Sequence, residues 1–153
     1  MATVITTRRD VRSLIFHFLY AMESFDYTVD LSELIVLFNE EFDLDVAFDG
    51  EVAHVVRQVV AQRAELDKAI EPLLSNWTLQ RLGCCTLLIL RLAIWELQNT
   101  DTAPIIVINE AIELAKCFSE KDAYKFINGV LDRAIKTIKQ KESSDTVDQE
   151  PTE

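Results

Sequence analysis

Apolar residues recur along nearly the whole chain at steps of three and four positions, the spacing that lines one side of an α-helix. Val11, Leu14, Ile15, Phe18, Leu19 and Met22 follow steps of 3, 1, 3, 1 and 3 and form one stripe, with Thr7 placed to cap the helix that carries it. A second helix is predicted after Asp30, where Glu33 completes a capping-box-like pair and Leu31, Leu34, Ile35 and Phe38 face inward. The acidic stretch EEFDLDVAFDG follows as a connection. Val52, Val55, Val56, Val59, Val60 and Leu66 predict one longer third helix from about Gly50 to about Ile70, stopped by Pro72. After Trp77 and room for a short helical turn, Cys84 to Gln98 is apolar on most sides, which marks a central helix buried by its neighbours. The loop NTDTAP, with Pro104 tolerated in a first turn, leads into a helix over Ile105 to Phe118. The last helix runs from Asp122 to about Lys139 on Phe126, Ile127, Val130, Leu131, Ala134, Ile135 and Ile138. Six helices and a short seventh are expected, without an internal repeat.

Composition agrees and excludes much chemistry. With 153 residues, 49% of them hydrophobic, the chain is one domain able to bury a core without a metal or disulfide. Gly50, Gly83, Gly129, Pro72, Pro104 and Pro151 supply too little turn chemistry for a many-stranded sheet, so the expected fold class is all-α. Glycines tens of residues apart assemble neither a dinucleotide fingerprint nor a phosphate-cradling loop. His17 and His54 are the only histidines and no Cys-x-x-Cys pair exists, so no metal and no cofactor is expected. Cys84, Cys85 and Cys117 suit a reducing compartment as buried, inert thiols. Trp77 and Trp95 are expected in the core. The most apolar segment, Cys84 to Leu97, has 14 residues with Arg91 inside, short of the roughly 20 that span a bilayer. His17 and Glu23 interrupt any secretory signal after the N-terminal arginines. A soluble, cytoplasmic protein without a membrane partner is expected.

The net charge of −11 hides an uneven distribution. Arg8, Arg9 and Arg12 against Asp10 leave residues 1–22 at +2; Glu23 to Glu51 holds ten carboxylates and no Lys or Arg; Lys116 to Lys141 sums to +4. Residues 142–153 add five acids, no base and little that is apolar, and are expected to form a disordered acidic tail on a helical domain spanning 1–141. Positive charge therefore collects at the two ends of the folded part. At about 100° per residue, Arg9, Arg12, Phe16 and Tyr20 share a sector of the first helix away from its apolar stripe. Basic residues in a first helical turn oppose the macrodipole, so stability does not select them. Guanidinium groups neutralise phosphates and rings stack on bases, which makes this composition that of a single-stranded nucleic-acid surface. The alternative is a solvated basic turn whose Phe16 and Tyr20 pack on another helix.

Three separated motifs carry a resemblance. RRDVRSLIFHFLY at Arg8 to Tyr20, LRLAIWEL at Leu90 to Leu97 and INEAIELAKCFSEKDAYKFINGVLDR at Ile108 to Arg133 closely resemble, in order and spacing, the NusB family of bacterial transcription antitermination factors. The resemblance covers essentially Arg8 to Ile138. It implies an all-α fold of six to seven helices in two packed bundle-like subdomains, without catalytic activity. It further implies binding of boxA RNA of nascent transcripts jointly with the ribosomal protein NusE, in an RNA polymerase complex with NusA and NusG that acts on ribosomal RNA operons.

The resemblance implies RNA contacts by Arg8, Arg9, Arg12 and Tyr20 at the first helix and by Asp122, Lys125 and Phe126 at the entry to the last; Phe16 from the basic-aromatic sector and the neighbouring Lys121 complete the candidate RNA-binding set. Gln80, Arg81 and Thr86 are implied on the NusE-facing side. Asn109 and Glu110, catalytic-looking in isolation, are expected to serve backbone donors near a helix start. Arg91 is expected to pair with a carboxylate or cap a carbonyl, and Gly129 to let another helix come close. Two other readings stay open. One is a helical protein-interaction or self-associating module without RNA binding, a homodimer included. The other is the N-terminal part of a ribosomal RNA cytosine methyltransferase, which lacks support because no Gly-rich methyl-donor site follows Ile138.

Overall fold

A computed structural model describes residue 5 and residues 7–147. Among them the chain forms seven α-helices, α1 (Arg8–Ser24), α2 (Leu31–Phe42), α3 (Glu51–Ala61), α4 (Arg63–Ile70), α5 (Cys84–Asn99), α6 (Pro104–Phe118) and α7 (Ala123–Val147), with 3-10 turns at Glu71–Leu73 and Leu79–Arg81. The all-α expectation is met. The helices group into two compact units, Met1–Leu66 and Asp67–Glu153.

In the first unit, α1 packs on α3 and α2. Thr7 caps α1 by accepting from the Asp10 amide at 3.0 Å, and Asp30 caps α2 by accepting from the Ser32 amide at 2.9 Å. The stripe residues Ile15, Phe18, Leu19 and Met22 are buried, and Phe18 stacks on Phe38 with centroids 4.3 Å apart. α2 continues through Phe42, three residues into the stretch expected as a connection, and ends on Asp43 in the left-handed region. The loop beyond is braced by Asn39, whose side chain both accepts from the Val46 amide and donates to the Val46 carbonyl.

The single helix expected over Gly50 to Ile70 is two helices. Gln62 lies at φ −98°, ψ 9° and interrupts the ladder. No Gly or Pro marks the spot; the interruption is held by side chains. Gln62 donates to Gln58 Oε1 at 2.8 Å, and the Arg63 guanidinium donates to the Val60 carbonyl while lying 3.9 Å over the Tyr27 ring.

In the second unit, α5 packs against α6 and α7, which also pack on each other. Leu88 through Glu96 are all buried, matching a helix apolar on most sides. Within that run Arg91 donates to both carboxylate oxygens of Asp67, at 2.7 and 2.8 Å, the ion pair its setting called for. Trp95 is buried as expected. Pro104 occupies the first turn of α6, so Asn109 and Glu110 lie in its second turn, too far in to cap it.

A methyl group added at Gly129 would meet only the Arg133 guanidinium, at 3.8 Å, so close approach of another helix does not explain that glycine. α7 carries its helical ladder to Val147, past the boundary expected at residue 141. Ser143 and Ser144 donate to the carbonyls of Lys139 and Lys141 there. Residues 148–153 of the expected tail lie outside the described residues.

Candidate nucleic-acid interface

The two ends singled out for RNA lie on different units. On α1, Arg9 and Tyr20 are exposed, Tyr20 at 47%. Arg8 is exposed too, but its guanidinium donates to both oxygens of Glu51 at 2.7 and 2.6 Å, tying the first turn of α1 to the first turn of α3. The same hydrogen bonds, with the charges of Arg8 and Arg12, hold the Glu51 carboxyl below its usual range against a smaller opposing effect of burial.

Arg12 and Phe16 depart from expectation: they are 5% and 3% exposed and belong to the interior. The reason is the width of the buried arc. The inward residues of α1, from Phe18 through Met22, Ile15, Leu19 and Arg12 to Phe16, cover roughly 160° at 100° per residue. That is wider than the apolar stripe alone suggests, and the predicted basic-aromatic sector straddles its edge. An arginine stem packs well at such an edge. Phe16 meets Tyr20 at the rim with ring centroids 6.5 Å apart.

The second end assembles more fully. α6 closes on Ser119, whose amide donates to the Ala115 carbonyl at 2.9 Å. The chain turns through Asp122, at φ 67°, into α7. A short polar side chain tolerates that left-handed conformation best. The turn sets Lys121, Asp122, Lys125 and Phe126 around one corner, where Lys125 Nζ sits 3.6 Å from Asp122 Oδ1. Lys116 and Lys125 approach the Tyr124 ring, with Nζ 5.1 and 5.9 Å from its centroid.

Beside this corner opens a cavity of about 260 Å3 lined by Trp77, Arg81, Thr86, Lys121, Asp122 and Phe126 among others. Trp77, expected in the core, is 52% exposed and meets Phe126 edge to face with centroids 6.2 Å apart. Gln80 and Arg81 are exposed on the 3-10 turn. Thr86, expected on a partner-facing surface, is buried, its hydroxyl 3.3 Å from that of Ser119.

The cysteines also differ from expectation: Cys84 and Cys117 are exposed and Cys85 is intermediate. They occupy the first turn of α5 and the last of α6, outside the fully buried run, and partial burial raises the Cys85 thiol pKa. Among the described residues no group of three or more potential ligands could hold a metal ion, and no helix is long and apolar enough to cross a membrane.

The sequence model of the NusB family matches residues 9–136. The chain belongs to the NusB family. A transcription antitermination protein NusB of Staphylococcus haemolyticus is 40% identical over 126 residues, covering 82% of this chain and 96% of the relative. The crystal structure of T. maritima NusB superposes with a TM-score of 0.74 at 31% identity, covering 87% of this chain and 93% of that one. A structure of the antitermination factors NusB and NusE in complex with double-stranded RNA matches with a TM-score of 0.70 at 28% identity, over 85% of this chain and 96% of that chain. This NusB-family chain carries, in Trp77 and Tyr124, two aromatic groups absent from the expected site. Trp77 lacked any periodic signal in its loop. Tyr124 was signalled by its place between Asp122 and Lys125.

Proposed function

We propose that the chain is a transcription antitermination factor that binds boxA-type RNA together with the ribosomal protein NusE and has no catalytic role of its own. It works in the cytoplasm, in an RNA polymerase complex with NusA and NusG, and supports antitermination on ribosomal RNA operons. Family membership over residues 9–136 supports the role, and the solved neighbour with NusE and RNA supports the joint binding.

The observation that carries the RNA reading is the α6–α7 corner, where Lys121 and the Phe126 ring line an open cavity and Lys125 stands beside Asp122. Lysines neutralise phosphates there, and the ring offers a face to an unpaired base. On the first unit, Arg9 supplies charge and Tyr20 a ring. Arg8 contributes to the extent that RNA competes with Glu51. Arg12 and Phe16 support the surface from inside. Gln80 and Arg81 remain the side chains assigned to NusE, with Thr86 holding the wall behind them.

The alternative, a helical interaction module without RNA binding, including a homodimer, draws on the inward Arg12 and Phe16. Titrating labelled single-stranded boxA RNA at two salt concentrations, with and without NusE, decides between them. The expected result is RNA binding strengthened by NusE. A logarithmic salt slope of roughly −2, for about three phosphate contacts on a single strand, is expected with it. NusE binding or self-association with no RNA affinity in any mixture establishes the alternative.

A further inference from the structure

We infer that Trp77 is a base-stacking residue of the RNA site, and that its cavity receives one unpaired base; this rests on the RNA reading above. Large aromatic side chains bury where the fold can cover them, yet Trp77 is 52% exposed while Trp95 of the same unit is 5% exposed. Trp77 does not stand alone on the surface. Its edge-to-face contact with Phe126, at 6.2 Å, fixes the indole and leaves ring surface bordering the cavity. The open pocket, about 260 Å3, has room for a single planar base.

Charge sets the orientation. Lys121 on the lining suits a phosphate flanking the base. The carboxylates of Glu120 and Asp122 on the same lining repel a phosphate that enters the cavity, but accept hydrogen bonds from the N–H groups of a base edge. A nucleotide therefore enters base first, its backbone outside, with Trp77 and Phe126 giving the apolar surface against which the base lies. Every base has a π face, so this contact adds affinity with little sequence preference.

Tryptophan emission reads the contact directly. Fluorescein-labelled single-stranded boxA RNA is titrated with the protein and NusE, and RNA anisotropy and indole emission are followed together. Emission attributable to Trp77, taken as the difference between the wild type and Trp77→Phe, falls in step with the rise in anisotropy. Trp77→Phe keeps most of the affinity because a ring remains. Trp77→Ala, with unchanged circular dichroism, loses roughly 5- to 150-fold, the range set by stacking one base. Binding by anisotropy with unchanged Trp77 emission and wild-type affinity in Trp77→Ala overturns this assignment and leaves the RNA reading intact. No anisotropy change with the wild type overturns both.

Discussion

The two units use the same pairing of cation and ring to opposite ends. On α1, Arg12 and Phe16 sit one turn apart and are sealed in the interior. In the second unit Trp77 is half exposed against Phe126, with Arg81 and Lys121 lining the same cavity. Residue type does not separate the two cases, and helical spacing does so only in part. What separates them is the element that carries them. α1 is a long helix with partners on a wide arc, so residues at the edge of its stripe are drawn inward. Trp77 lies in the loop before a 3-10 turn, where no helix face dictates its direction. A basic-aromatic motif is thus left accessible or sealed according to the coverage of its backbone.

Truncating one aromatic on each side tests this contrast most severely. Phe16→Ala is expected to lower unfolding free energy by about 3–5 kcal/mol, the cost of emptying a buried phenylalanine site. Urea denaturation measures it, and RNA affinity falls only as the folded fraction does. Trp77→Ala, on an open surface, is expected to stay within about 1 kcal/mol of the wild type. Equal stability of the two variants breaks the comparison.

The arginines repeat the test at smaller amplitude. Arg12→Ala is expected to cost about 1–3 kcal/mol, because burial has made its stem and head part of the packing. Arg9→Ala, exposed and one position past the tied Arg8, is expected to change stability by less than about 0.5 kcal/mol. It reduces the magnitude of the RNA salt slope by about 0.7, one phosphate contact. Thermal melts and salt-dependent anisotropy on the same samples separate the two effects. An Arg12→Ala protein that melts as the wild type restores Arg12 to the surface reading.

These outcomes mirror what the sequence made legible. Features announced by side-chain chemistry were readable: Thr7 and Asp30 as caps, Pro104 in a first turn, and Arg91 needing a polar partner inside an apolar helix. Each follows from a local rule that tertiary packing does not overturn. The break at Gln62 was not readable, since no Gly or Pro marks it and the Arg63–Tyr27 contact beside it joins residues far apart in the chain. The inward Arg12, the outward Trp77 and the exposed Cys84 and Cys117 share a cause. Periodicity ranks positions around a helix, but the limit of burial is set by which neighbours arrive. Of the candidate site, the α6–α7 corner was proposed from the family resemblance and the basic excess of residues 116–141, because its groups are close in sequence. The cavity beside it was not, because Trp77 and Arg81 come from a separate loop.

The finest test concerns Arg8, which stands between the two behaviours: exposed like Arg9, yet engaged by Glu51 through two hydrogen bonds. Because the folded state holds the Glu51 carboxyl below its usual range, this pair stabilises the fold at pH values above that range. The contribution is lost as pH falls through the depressed value. Both side chains are more than half exposed, so the contribution is at most about 1 kcal/mol. Glu51→Gln therefore lowers stability at neutral pH by at most that amount, meets the wild type once pH falls below the depressed value, and so flattens that part of the acid limb. It also releases Arg8 from its carboxylate, and a guanidinium so released competes for phosphate. The RNA salt slope of Glu51→Gln is therefore expected to steepen by about 0.7, and Arg8→Ala in the same background to cancel the gain. If the slope stays where it was, Arg8 serves only to tie α1 to α3. The first unit then presents RNA with Arg9 and Tyr20 alone, which widens its contrast with the second.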